Sequence, residues 1–113
     1  MPFINVKTNA SVSGEQAETI KSALGKAISA IPGKSEGWLM VGIEPDSLLW
    51  FKGSDQPAAM TQVNLFGSAS SNAMNTLTAN ITGLLTDTLG IPSDRIYVSY
   101  QTTPNWGWNG SNF

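Results

Sequence analysis

Between Pro2 and Thr8 the side chains alternate, with Phe3, Asn5 and Lys7 on one face and Ile4, Val6 and Thr8 on the other. This period of two predicts a strand. Ser13 then opens a helix. With Gln16 it has the spacing of a capping box, and Ala17, Ile20, Leu24, Ala27, Ile28 and Ile31 continue as an apolar stripe at helical spacing. Pro32 and Gly33 end the stripe, because neither comfortably extends a helix. The run WLMVGI from Trp38 to Ile43 predicts a buried strand, and SLLWF from Ser47 to Phe51 a short one before the turn region Gly53 to Pro57.

The same order then returns. Residues 60–66 (MTQVNLF) predict a strand, 71–89 a helix carrying Met74, Leu77, Ile81, Leu84, Leu85 and Leu89, and RIYVSY, beginning at Arg95, a strand. The first helix exits through AIPGK and the second through LGIPSD. An offset of about 57 residues superposes the two strand-helix-strand units, which points to an internal duplication. One domain over residues 1–113 is expected, with pseudo-repeats at about 2–57 and 58–113. Each helical crossover makes its paired strands parallel. Two such units build an α/β (α+β) domain, a four-stranded sheet with both helices on one face. The other face is expected to carry substantial apolar area that a chain of 113 residues has no third layer to cover. Oligomerisation is the expected solution.

Composition narrows the function classes. Hydrophobic residues make up 41% and charged residues only 12%, with a net charge of -2, so no basic field marks a nucleic-acid partner. A fold of this outline also occurs in RNA-binding modules, but the basic balance and the sheet-face aromatics needed to stack bases are missing. Without cysteine or histidine there is no thiol nucleophile, no disulfide and no basis for a zinc site. No cofactor or metal is called for. No apolar run approaches the length of a membrane span, so the expectation is a cytoplasmic protein, with unconventional secretion left open. Triplets at Asn9, Asn80 and Asn109 match the glycosylation pattern, a weak signal in so Asn-, Ser- and Thr-rich a chain.

Three places carry candidate chemistry. A small residue behind the start methionine favours its removal, which would leave Pro2 as a secondary amine and a candidate base. Where Met1 is retained, its amide bond abolishes that amine. Proline is equally at home as the first residue of a strand, where its missing N–H costs little. Lys34 follows Gly33 at the exit of the first helix, a position that also suits a solvated charge favoured by the helix dipole. The tail PNWGWNGSNF sets Trp106, Trp108 and Phe113 among turn formers, which predicts a small strand or hairpin at a subunit contact or in the wall of an apolar pocket.

Over essentially its whole length the sequence resembles the macrophage migration inhibitory factor family of the tautomerase superfamily. The resemblance lies in the opening MPFINVKTN, GK at 33–34, EPD at 44–46, Gly and Pro around 53–57, DRIYVSY at 94–100 and GWNGSNF at 107–113. It implies a homotrimer of four-stranded mixed sheets around a central channel, with helices outside and active sites at subunit interfaces. It further implies that Pro2 is the base of a cofactor-independent keto-enol tautomerase acting on phenylpyruvate-like aromatic 2-oxo acids. Lys34 and the backbone N–H of Phe66 would anchor the substrate carboxylate, and Tyr97 of a neighbouring subunit would line the pocket. Leu65, Ser99, Trp106, Trp108 and Phe113 complete the expected substrate-binding set. Ser99 stands where the best-known members have asparagine, Trp106 where they have a smaller aliphatic residue, and Leu65 where they have a small polar one. These departures bear on substrate preference and rate. Ala58 and Thr61 occupy the positions of the family's cysteine pair, so thiol-redox activity is expected to be absent. The alternative reading is a cytokine-like or host-interaction protein with an incidental tautomerase site, although the sequence shows no receptor-binding surface.

Overall fold

The computed structural model describes residues 1–113. Its main elements are β1 (Pro2–Thr8), α1 (Gly14–Ala27), β2 (Met40–Glu44), β3 (Ala59–Phe66), α2 (Ser71–Leu89) and β4 (Ile96–Thr103), followed by the short strands β5 (Gly107–Trp108) and β6 (Ser111–Asn112). The main sheet has the order β2-β1-β3-β4. β1 pairs parallel with β2 and β3 parallel with β4, while β1 and β3 run antiparallel and join the two strand-helix-strand units at the centre.

Local chemistry sets the helix ends. Ser13 Oγ accepts from the Gln16 N–H at 3.1 Å and Gln16 Oε1 accepts from the Ser13 N–H at 2.9 Å, the reciprocal pair of a capping box. Ser70 caps α2 through the Ala73 N–H at 3.1 Å, and Gly90 closes its other end at φ 71°, a left-handed conformation that glycine adopts without strain.

The core lies between the helices and one face of the sheet. Ile4 and Val6 of β1, Val63 and Leu65 of β3, Ile20 and Leu24 of α1, and Leu77, Ile81 and Leu85 of α2 are all fully buried. Ile81→Ala removes buried methyl groups from this layer and is expected to cost about 2–5 kcal/mol. Urea unfolding, read as a lower midpoint at unchanged slope, checks this.

The opposite face departs from the expected apolar surface. The register places Asn5, Gln62 and Ser99 in one row and Asn64 and Gln101 beside Phe3, so the middle of this face is polar. Strict alternation sends the large aliphatic residues of β1 and β3 to the helices, and water rather than a third layer can cover what remains. The exposed large apolar residues are Met40, Leu48, Trp50 and Tyr97, together with Trp38, Trp108 and Phe113 near the cleft described below. Any drive to associate therefore comes from edges and loops, not from a greasy sheet face.

Two predicted strands also differ. Trp38 ends a 3-10 turn (Glu36–Trp38), and β2 begins at Met40 as a half-exposed edge strand with one neighbour rather than a buried one. Ser47 to Phe51 forms no strand, because no strand of the chain lies alongside it. Phe51 and Ser54 instead close a tight turn through two backbone hydrogen bonds of 2.9 and 3.0 Å. This loop is held by side chains from elsewhere. Asn9 Nδ2 donates to the carbonyls of Leu49, Asp55 and Gln56, while Asn9 Oδ1 accepts from the Ala58 N–H. The Arg95 guanidinium donates to the carbonyls of Phe51, Ser54, Gln56 and Pro57. The tail forms the expected hairpin, with Asn109 (φ 53°) and Gly110 (φ 89°) as its turn residues. No helix is long and apolar enough to cross a membrane.

Candidate functional site

Pro2 is the first residue of β1 and lies opposite Leu65 of β3. One residue back, the Met1 carbonyl accepts from the Phe66 N–H at 3.1 Å. Lys34 arrives from the other side. The chain leaves α1 through a 3-10 turn, anchors on buried Ile31 and reverses at Gly33, whose φ of 82° favours glycine. The Lys34 N–H then closes onto the Ile31 carbonyl at 3.1 Å. Its ammonium reaches the Phe66 carbonyl at 2.7 Å and lies 5.9 Å from the Phe66 ring centre.

The α-amine at the start of the chain is held below its ordinary value. Burial is the largest cause, followed by the positive charge of Lys34 and a hydrogen bond with the Lys34 side chain. Lys34 itself makes no ion pair, the only one in the chain being Lys21–Glu18 at 3.5 Å. The Met1 amine and the uncompensated Lys34 cation therefore lie close to each other.

An aromatic wall rises beside them. Phe113 packs on Phe66 with ring centres 5.5 Å apart and stacks nearly parallel to Trp108 at 6.2 Å. Trp38 meets Trp108 edge to face at 5.1 Å. The Phe113 N–H donates to the Trp106 carbonyl at 3.0 Å, which folds the hairpin back on itself. Pro2, Phe3, Trp38, Met40, Trp106 and Trp108 line a cleft of about 350 Å³. Trp38 is the site residue that the strand-like reading of WLMVGI hid. Leu39, Val41 and Ile43 pack on the core, which leaves Met40 on the other face, while Trp38 is exposed in the 3-10 turn just before the strand.

Not every expected site residue converges here. Leu65 is fully buried in the core, so its side chain supports the floor from beneath and does not line the cleft. Tyr97 pairs with Met60, in the same row as Lys7, and Ser99 pairs with Gln62. The Tyr97 row is five residues along the strands from the Pro2–Leu65 row, a separation of roughly 17 Å at strand rise. Tyr97 is 60% exposed and packs against Phe51 at 4.7 Å. There, with Trp50, Phe51 and Met60, it walls a second cleft of about 440 Å³. One chain thus carries the amine, Lys34 and the tryptophan wall at one end of the sheet, and Tyr97 at the other. No cluster of three acidic side chains is placed to hold a metal ion.

The sequence model of the family described as macrophage migration inhibitory factor (MIF) matches residues 1–113. The chain belongs to the MIF family. Macrophage migration inhibitory factor of Meriones unguiculatus is 35% identical over 115 residues, covering 100% of this chain and 99% of the relative. The Mus musculus protein of the same name is 33% identical over 118 residues, with the same coverage. The MIF fold is equally plain in solved structures. Leishmania major MIF2 superposes with a TM-score of 0.94 at 32% identity, covering 100% of this chain and 97% of that one. The MIF homologue from Prochlorococcus marinus gives 0.89 at 26% identity, covering 98% of each chain. The four-stranded mixed sheet with two helices is thus the MIF fold itself.

Proposed function

We propose that this MIF-family protein is a cofactor-independent keto-enol tautomerase for aromatic 2-oxo acids of the phenylpyruvate type, with the Pro2 amine as its base. The observation that carries this reading is the place of Pro2 in the wall of an aromatic cleft, next to a Met1 α-amine that burial and unpaired Lys34 hold low. A base that must work near neutrality has to be unprotonated there, and this environment disfavours the ammonium form.

Met1 occupies the groups that the reaction would use. Its carbonyl takes the Phe66 N–H and its amine sits against Lys34. Removing Met1 would free the Pro2 nitrogen, the Phe66 N–H and the outer face of Lys34 in one step. The substrate carboxylate would then sit between the Lys34 ammonium and the Phe66 N–H, with the aryl group against Trp38, Trp106 and Trp108. The Pro2 nitrogen takes a proton from carbon 3 of the keto acid and hands one to the enolate oxygen, and the reverse sequence regenerates the ketone. No redox partner enters, because only a proton moves.

The separation of Tyr97 from Pro2 within one chain fits a head-to-tail homotrimer. In it the Tyr97 end of one subunit would meet the Pro2 end of the next, and a closed ring would repeat this contact without a free end. Both outer strands of the sheet, β2 and β4, have an unpaired edge for such contacts.

The test is the keto-enol absorbance change of phenylpyruvate with protein that begins at Pro2. Lys34→Ala is expected to raise KM by roughly 10-fold or more, the loss of a charge-assisted hydrogen bond. It should also move the acid limb of the pH–rate profile to higher pH, because the cation that opposed protonation of the amine is gone. A parent protein no faster than buffer would overturn the reading.

A further inference from the structure

Gly25 stands in the last turn of α1, where glycine costs a helix roughly 1 kcal/mol relative to alanine. It is buried, and what covers it is Glu36: a Cβ at position 25 would collide with the Oε2, Cδ and Cγ atoms of the Glu36 side chain. The Glu36 carboxylate makes no ion pair. The C-terminal end of a helix repels a carboxylate rather than attracting it. The seat is therefore one of space, and it exists because residue 25 has no side chain.

Glu36 is also the acid nearest to Lys34 in sequence, two residues along the same loop. Between Ile28 and Leu39 these are the only ionisable side chains. The charges on α1 are Glu15, Glu18, Lys21 and Lys26, of which Glu18 and Lys21 pair with each other. Lys7 and Glu44 lie at the far ends of β1 and β2, where Glu44 accepts from Asn5 at 2.6 Å. The aromatic tail from Pro104 onward has no ionisable side chain, and the carboxylate of Phe113 makes no ion pair with Lys34. Within the chain, Glu36 is thus the acid that the loop itself offers to Lys34.

We propose that Gly25 is a positioning residue that seats the Glu36 carboxylate against α1 and so leaves Lys34 without an acidic partner. Resting on the tautomerase reading, this names what keeps the site cationic. Lys34 can press on the amine and receive a substrate carboxylate only while its own charge is uncompensated, and the bare backbone at position 25 secures that from outside the cleft.

Gly25→Ala fills the seat while improving helix propensity, so the variant is expected to fold. Evicted, Glu36 turns to Lys34. The N-terminal amine, followed by ¹⁵N NMR across pH in protein beginning at Pro2, should titrate at higher pH than in the parent. KM for phenylpyruvate should rise roughly two- to five-fold, the effect of a competing exposed ion pair. Gly25→Ala combined with Glu36→Gln should return both values to those of the parent, and Glu36→Gln alone should change neither. A folded Gly25→Ala protein with the parent's amine titration and KM would overturn the proposal. So would a shift that survives the glutamine substitution, because it would then come from shape and not charge. If the parent converts no phenylpyruvate, the tautomerase reading falls, while the amine titration still decides whether Gly25 shields Lys34.

Discussion

Pro2→Gly is expected to lower kcat/KM for phenylpyruvate by about 10²-fold, the scale on which a misplaced reacting group loses rate, while the fold survives. Glycine leaves a primary amine at the same place. What it loses is the pyrrolidine ring that fixes φ and aims the lone pair. The structural role of proline here is small, because it is the first residue of β1 and its missing N–H interrupts nothing. A stability loss of about 1 kcal/mol is the expected cost of the freer unfolded chain. Steady-state kinetics alongside urea unfolding separate the two uses of the residue. A large loss of stability with little loss of rate would assign Pro2 to the strand and not to the chemistry.

Arg95→Ala is expected to destabilise the protein by about 2–4 kcal/mol, although Arg95 is not part of the buried core. Its guanidinium donates to four carbonyls at 2.9–3.1 Å and lies 5.3 Å from the Phe51 ring centre. Lysine has no planar fork to reach those acceptors together, so Arg95→Lys should keep most of the loss. The effect should spread to function, since Phe51 packs on Tyr97 and both wall the second cleft. With its backbone untied, the loop would no longer hold Tyr97 in place, and the proposed trimer should dissociate at higher concentration. Urea unfolding and sedimentation of the two variants check this. An Arg95→Lys protein as stable as the parent would show that the brace is incidental. Within one chain this only arginine lies at the end of the sheet opposite Pro2.

Features written in local periodicity were legible in the sequence. β1 and α2 occupy the residues that their patterns predict, and the Ser13–Gln16 box forms as its spacing requires. The tail hairpin follows from its turn formers in the same way. Features that depend on distant pairing were not. The hydrophobicity of SLLWF suggested a strand, yet a strand needs a neighbour, and Asn9 and Arg95 bind that loop across separations of 38 to 49 residues. Such side-chain to main-chain ties leave no period to read. Leu65 was placed in the pocket because it adjoins Phe66 at a position where the family has a small polar residue, but alternation along β3 turns its side chain into the core. Trp38 was missed for the opposite reason. An apolar run looks buried throughout, whereas the edge strand buries one side and leaves Met40 on the other, and Trp38 lies exposed in the 3-10 turn before it. Charge was partly legible: Lys34 at the helix exit was visible, but its isolation depends on Gly25 and Glu36, which only the fold brings together.

The most direct measurement combines intact mass with the phenylpyruvate keto-enol assay on a single folded sample whose chains partly retain Met1. If the Pro2 nitrogen is the base, activity should rise in proportion to the fraction of chains that begin at Pro2. Fully Met1-bearing protein should then be slower by roughly 10²–10⁴-fold, the range of a positioned general base. Equal activity in the two forms, or a fully processed protein no faster than buffer, would contradict it.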